Sequence, residues 1–333
     1  MHTRQTHSPA PPCPLCGGAQ FRTLFSAPGF DNGDERFELA ECSRCRLVRT
    51  QPVLSDDQLA AYYAPTYYGG GNRKFGGAFE SLIRALNTHR ARSILAKVRP
   101  SEDATNSAPR VIDIGCGRGD LLGAMRIVGC ECHGVERSEF PTDEQTQGIR
   151  FYKVNVEDVG FEPDYFDLAV LWHVAEHLPQ PLATIREARR ILRPGGLLAI
   201  AVPNFDSLQA ALFRSRWFHL DLPRHLHHLR MTTLQQCLVD NGFSVEASST
   251  WSVEQNVYGF VQSSLNALSG PGQGNALYGL LKRHEGSAAK AKLVAWLVAA
   301  GLIAPLAVVE SVVAAALAKG ATAIVYARKQ SAE

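Results

Sequence analysis

Between Val111 and Val202 short apolar runs alternate with helix-patterned segments, and that alternation leaves the chain few folds to choose from. Val111-Ile112-Asp113-Ile114 lacks the one-in-two polar spacing of a half-exposed strand, so it belongs in a sheet covered on both faces. The pattern continues with a helix over Asp120 to Val128 and strands over His133 to Glu136, Phe151 to Val156 and Phe166 to Leu171. A helix over Pro181 to Leu192 follows, with Leu182, Ile185, Ala188 and Ile191 on one face and a proline at its start. Gly195-Gly196 is expected to stop it before a fifth strand, Leu197 to Val202. Parallel strands need crossover helices, so the prediction is a doubly wound α/β sheet. Downstream come a helix over Thr232 to Asn241 and a strand over Phe243 to Ala247, whose partner is expected at Ala321 to Tyr326.

Asp113-Ile114-Gly115-Cys116-Gly117-Arg118-Gly119 joins a strand to a helix, where such sheets place their ligand crevice. Glycines at 115, 117 and 119 remove the Cβ atoms that would keep a ligand off the backbone. A dinucleotide fingerprint needs glycine at position 120, which is Asp120, and an aspartate repels a pyrophosphate. A nucleoside without phosphates fits better. Glu136, at the end of the second strand, suits two vicinal ribose hydroxyls, and Asn155 suits an adenine edge; Cys116 and Val156 complete the predicted cofactor contacts.

Four blocks, Val111 to Gly119, Gly134 to Glu136, Phe166 to Leu178 and Leu192 to Asn204, stand in an order and spacing that resembles the class I S-adenosylmethionine-dependent methyltransferases. The resemblance implies a Rossmann-like seven-stranded sheet with an antiparallel last strand. It also implies that Asp113 and Gly115 to Gly119 lie near the methionine part of the cofactor, with Glu136 on the ribose. Where that family commonly has aspartate after the third strand this chain has Asn155, which keeps the acceptor and loses the charge.

Cys13-Pro14-Leu15-Cys16 and Cys42-Ser43-Arg44-Cys45 are two C-x2-C pairs, and four thiolates satisfy a structural zinc ion with no open position. Alternating runs at Phe21 to Phe25 and Phe37 to Leu39 predict hairpin strands between them. Cys116, Cys130, Cys132 and Cys237 have no matching pair and are expected to be small buried hydrophobes. A zinc ribbon ahead of this core resembles a bacterial group that includes sugar C-methyltransferases and enzymes of surface-polysaccharide and natural-product pathways. Tyr62-Tyr63 and Tyr67-Tyr68 would then pack over the acceptor, with Tyr63 and Tyr67 touching it.

His219, His225, His227 and His228 fall within ten residues after the fifth strand. Methyl transfer needs a deprotonated nucleophile, and imidazole titrates near the operating pH. Asp221 to His225 looks like the histidine motif of the sugar C-methyltransferases, which makes His225 the expected base, although Leu222, Pro223 and Arg224 depart from the usual tyrosine and glutamate. Arg224 is expected to hold a phosphate or carboxylate on the acceptor, and His173, Glu176 and His177 to face it. Two other readings stay open: His227 and His228 as surface or helix-start residues, and a metal site of His219, Asp221, His225 and His227.

With 34 Lys+Arg against 32 Asp+Glu and no basic stripe, charge gives nucleic acid no support. Met1 to Pro12 is polar and lacks a secretory apolar region, so a cytoplasmic protein is expected. Leu293 to Val309 carries no charge, yet a single crossing would strand the final strand on the wrong side of a bilayer. Pro305 and Glu310 predict two helices there. They could cap the core, join a homodimer, or lie peripherally on the inner face of a membrane with Lys282, Arg283, Lys290 and Lys292 towards headgroups. The expected organisation is a zinc ribbon (1–51), a helical lid and linker (52–109), a methyltransferase core (110–254), an apolar helical insertion (255–319) and a final core strand (320–333). The expected acceptor is a sugar, a lipid-linked glycan or a related metabolite. A small-molecule O-methyltransferase of the quinone or natural-product type and a non-catalytic S-adenosylmethionine-binding assembly protein are the alternatives.

Overall fold

The computed structural model describes residues 11–30, 35–63, 77–100, 108–137, 146–269, 275, 277–279 and 287–331. Near the N-terminus the alternating runs form a hairpin of β1 (Phe21–Pro28) and β2 (Arg36–Cys42), extended by β3 (Val48–Gln51). A short α1 (Asp56–Ala60) begins at Ser55, whose hydroxyl accepts from the Gln58 amide while the Gln58 side chain accepts from the Ser55 amide. A long α2 (Gly77–Leu95) leads to the sheet.

The core runs β4 (Arg110–Ile114), α3 (Asp120–Ile127), β5 (Glu131–Val135), β6 (Arg150–Tyr152), α4 (Val156–Val159), β7 (Phe166–Trp172), α5 (Pro181–Ile191) and β8 (Leu192–Pro203). After it come α6 (Leu208–Phe213), β9 (His227–His228), α7 (Met231–Asp240), β10 (Phe243–Ser249), α8 (Val253–Leu268), α9 (Ser287–Ala316) and β11 (Thr322–Lys329). Seven strands pair in the order β10-β11-β8-β7-β4-β5-β6, with β11 antiparallel to both neighbours and the other pairs parallel. The doubly wound α/β sheet with its antiparallel last strand is therefore as expected. Residues such as Ile112, Leu171 and Ile200 are fully buried, as continuous apolar runs in a two-sided sheet require.

Several local expectations are corrected. The third strand stops at Tyr152, and Asn155 becomes the residue before α4, because the chain must turn outward there to start a helix. The second strand begins at Glu131 and ends at Val135. Gly195-Gly196 does not separate helix from strand: β8 starts at Leu192, beside Phe166 of β7, and runs through both glycines. A Cβ on Gly196 would sit 2.8 Å from the Arg193 carbonyl and 3.2 Å from that of Phe166, so the glycine is what lets the strand begin so close to its neighbour. Pro305 and Glu310 do not divide the insertion either; α9 runs through both. Ile303 and Ala307, on either side of the proline, pack in the same cluster as Phe260 and Leu265 of α8, which keeps both halves on one line. The Glu310 carboxylate accepts from Gln209 Nε2 at 2.9 Å instead of marking a break.

The cysteine-bearing sheet is seated on the core. Its fourth strand is β9, with Val48 opposite His228 and Arg49 opposite His227. His227 and His228 are thus buried sheet residues and not surface or helix-start residues. Cys13, Cys42 and Leu47 belong to the same apolar cluster as Ile112, Leu171 and Phe243. Arg230 adds a polar bridge: Nη1 donates to the Arg46 carbonyl and lies 3.0 Å from Glu41, while Nε donates to Asp206.

Candidate active site

At the carboxyl end of β4 the chain turns through three glycines in the left-handed region, Gly115 at φ 77°, Gly117 at 52° and Gly119 at 73°. The Gly115 and Cys116 amides donate to the Val135 carbonyl, which pins the loop to the end of β5. A Cβ on Gly117 would meet nothing within 4 Å, so this backbone faces open space of the kind a ligand lying on main chain needs. Glu136 faces the loop from β5, its Oε2 accepting from the Gly117 amide at 3.1 Å and its Oε1 from the Arg137 amide at 2.7 Å. Asp113 is buried at the end of β4, where burial first and the Glu136 charge second push its pKa up to about 8, against a counter-pull from Arg90. Two carboxyl groups with one guanidinium nearby make a site that suits a cationic ligand, such as one carrying an ammonium and a sulfonium, whose charge would favour loss of the Asp113 proton. Asn155 is exposed, with its Nδ2 given to Asp158, and Val156 is buried beneath it in the core.

The segment after β7 abuts this loop. A Cβ on Gly115 would lie 2.5 Å from the side chain of Val174, so only glycine lets the two come together. That contact brings His173, Glu176 and His177 next to the cofactor loop. His173 sits at φ 56°, with Nδ1 3.3 Å from Glu176 Oε1 and a buried Nε2 that has no hydrogen-bond partner. Glu176 is 1% exposed, and neither carboxylate oxygen has a hydrogen-bond partner. Its backbone carbonyl accepts from the Leu226 and His227 amides, which joins the segment to the histidine-rich stretch. Tyr63 reaches in from the N-terminal region, its hydroxyl 3.0 Å from His177 Nδ1. Tyr67 lies outside the described residues.

His225 packs edge-on against His177 with ring centroids 4.5 Å apart, and its Nδ1 is 2.9 Å from the His219 carbonyl. Burial, then the neighbouring His177 and His228, pushes its pKa well below the usual histidine value, so the ring is neutral at pH 7. Arg224 does not reach an acceptor. It is 2% exposed, donates through Nε and Nη2 to Asp221 and through Nη1 to the Tyr62 carbonyl, and lies over the Phe30 ring. A buried guanidinium is kept only when paired, and this one is used up by the fold. Nor does the structure assemble a metal site from His219, Asp221, His225 and His227. His219 Nε2 is given to the Gln255 carbonyl, Asp221 to Arg224, and His227 lies on β9.

Arg90 is a site residue that sequence reasoning missed. It lies over the Trp172 ring at 4.7 Å from the centroid, pairs with Glu254 and offsets the charge of Asp113. No local signal marks it, since it comes from α2, well upstream of β4. In the cysteine cluster, Sγ of Cys13 lies 3.5 Å from that of Cys45, and Cys16 lies 3.6 Å from Cys42. Four sulfurs at ~2.3 Å from one ion would stand about 3.8 Å apart, whereas a disulfide needs about 2.0 Å. A Cβ on Gly18 would crowd the Cys42 and Cys16 sulfurs, at 3.1 and 3.3 Å, so glycine there keeps the cluster closed.

A family model described as a methyltransferase domain matches residues 84–248, the span that carries the glycine loop, Glu136 and the segment after β7. Residues 84–248 form a methyltransferase domain. Curated relatives of this methyltransferase domain include a ubiquinone biosynthesis O-methyltransferase of Pseudomonas syringae pv. tomato. It is 30% identical over 111 residues, 31% of this chain and 48% of that protein. Its counterpart in Cereibacter sphaeroides is 27% identical over 166 residues, 45% of this chain and 67% of that protein. The matches thus span about half to two thirds of the relatives' own length. Among solved structures, a SAM-dependent methyltransferase from Archaeoglobus fulgidus aligns with a TM-score of 0.46 at 19% identity, over 74% of this chain and 94% of that one. The methyltransferase domain carries β4 to β10, and β11 completes its sheet from outside the matched span.

Proposed function

We propose that the protein transfers a methyl group from S-adenosylmethionine to a hydroxyl of a small molecule. The observation that carries this reading is the contact of Val174 with Gly115, which sets a cation-seeking glycine loop against a cluster able to take a proton. The names of the relatives favour the small-molecule O-methyltransferase alternative over the sugar or glycan acceptor.

When bound, the cofactor supplies an electrophilic methyl on a sulfonium. Asp113 and Glu136 would hold it by offsetting its positive charge, and the bare backbone at Gly117 would let it lie close. His225 is the expected base. Its Nδ1 faces a carbonyl and so carries the hydrogen, which leaves Nε2 as the atom able to accept a proton. Tyr63 and His177 form the wall between the N-terminal region and this cluster. The cysteine cluster fits a structural zinc ion held by Cys13, Cys16, Cys42 and Cys45, and it steadies β3, from which Thr50 donates to the His225 carbonyl at 2.6 Å.

His225→Ala tests the assignment. The variant is expected to bind S-adenosylmethionine with unchanged heat in calorimetry and to lose methyl transfer to a catechol or phenol acceptor by about 10²-fold or more. Full turnover would remove His225 from the chemistry, and loss of cofactor binding would show that its role is structural.

A further inference from the structure

We infer that Glu176, His177 and His225 form a binding site for a divalent first-row transition-metal ion, separate from the four-cysteine cluster. One potential ligand atom from each of the three lies within 4.8 Å of the others. The two imidazoles are set for coordination by their neighbours. His177 Nδ1 is 3.1 Å from the Arg224 carbonyl and His225 Nδ1 is 2.9 Å from the His219 carbonyl. A carbonyl only accepts, so each Nδ1 facing one carries its hydrogen, at His177 shared with the Tyr63 oxygen 3.0 Å away, and each Nε2 then keeps a lone pair; fixing the tautomer through the other nitrogen is how proteins orient metal-binding histidines. Asp221 Oδ2, 3.8 Å from His225 Nε2, is beyond hydrogen-bond reach.

The second, independent observation is the carboxylate. Glu176 is 1% exposed with both oxygens unpartnered, and a buried carboxylate in that state calls for a cation. His173 Nδ1, 3.3 Å from Oε1, lies on the same carboxylate without hydrogen-bond geometry. Two imidazoles and one carboxylate suit zinc or manganese and leave coordination positions open for a substrate oxygen. The role of the ion rests on the methyl-transfer reading, although its binding does not. At those open positions it would take the acceptor hydroxyl and favour loss of the O–H proton to solvent. The oxygen would then form its bond to the methyl carbon as the S–C bond breaks, leaving a neutral thioether. In that state His225 serves as a ligand and not as the base.

The test uses the full chain, loaded with zinc and dialysed, with metal content read by mass spectrometry and added Mn2+ followed by electron paramagnetic resonance. The wild type is expected to hold either a second zinc or one Mn2+ beyond the cysteine-bound zinc. Glu176→Gln and His225→Gln are each expected to weaken that second metal by at least ~10-fold while leaving the first zinc and the circular dichroism unchanged. If either variant misfolds, His177→Gln takes its place. One zinc per wild-type chain with no Mn2+ uptake overturns the site, as does uptake that the variants do not change. Calorimetry with S-adenosylmethionine on the same samples separates the two readings. Cofactor binding without a second metal sinks only the metal site, and a second metal without cofactor binding sinks only methyl transfer.

Discussion

Asp113 shows how a single carboxyl can report on the ligand it waits for. Its pKa rises from the ordinary 3.8 to about 8 because it is buried beside Glu136. The folded state therefore holds a proton that the unfolded state gives up, and between those two values stability falls as pH rises. Thermal unfolding without cofactor is expected to shift to lower temperature between pH 5 and pH 8, and Asp113→Asn to flatten that dependence while removing S-adenosylmethionine binding. An unchanged pH slope in the variant would show that Asp113 is already ionised. The residues of this cradle were legible in the sequence because they are local: the glycines and Glu136 lie within two dozen positions of one another. Arg90 was not, since only the packing of α2 against β4 and Trp172 brings its charge there. Glu176 was named as an acceptor contact, but its isolation from any partner follows from burial, which no local pattern encodes.

At the scale of elements, α9 tests how far apolar patterning can be trusted. Its run Lys292–Ala316 is long and apolar enough to cross a membrane, yet β11 follows directly and pairs with β8 in the same sheet as β10. The chain leaves and rejoins one body, and α8, with Asn256, Gln262 and Asn266, is no second span. One stripe of α9, including Ala307, Ser311 and Ala314, is fully buried, while Leu302 is 79% exposed and Leu306 60%. Leu302→Lys and Leu306→Lys are therefore expected to leave the unfolding temperature of the isolated protein almost unchanged, within about 0.5 kcal/mol. Ala307→Leu, which forces volume against α8, is expected to cost about 1–3 kcal/mol. Equal effects in a denaturant titration would show that the helix is rotated from this arrangement. The sequence predicted two helices here because proline weakens a helix; contacts to α8 on both sides of Pro305 outweigh that local penalty.

Over the whole molecule the N-terminal sheet and the methyltransferase domain act as one unit, since β9 closes the former and leads straight from the histidine cluster of the latter. Thr50 donates to the His225 carbonyl and its amide donates to that of Leu226, so the cysteine cluster is one strand away from the proposed base. Removing zinc with a chelator, or replacing Cys13 and Cys42 by serine, is expected to lower the unfolding temperature and methyl transfer together. Turnover retained by zinc-free protein would show that the ribbon is an independent appendage. The sequence by itself determined the alternation of strands and helices in the core, the glycine loop, the acidic residue opposite it and the paired cysteines, because each is a short-range pattern of burial, backbone freedom or spacing. Tertiary structure alone decided that Arg224 is spent on Asp221, that His227 and His228 are buried in a sheet, and that Tyr63 meets His177. Those outcomes depend on which distant segments exclude water from one another, and that is a property of the packed chain.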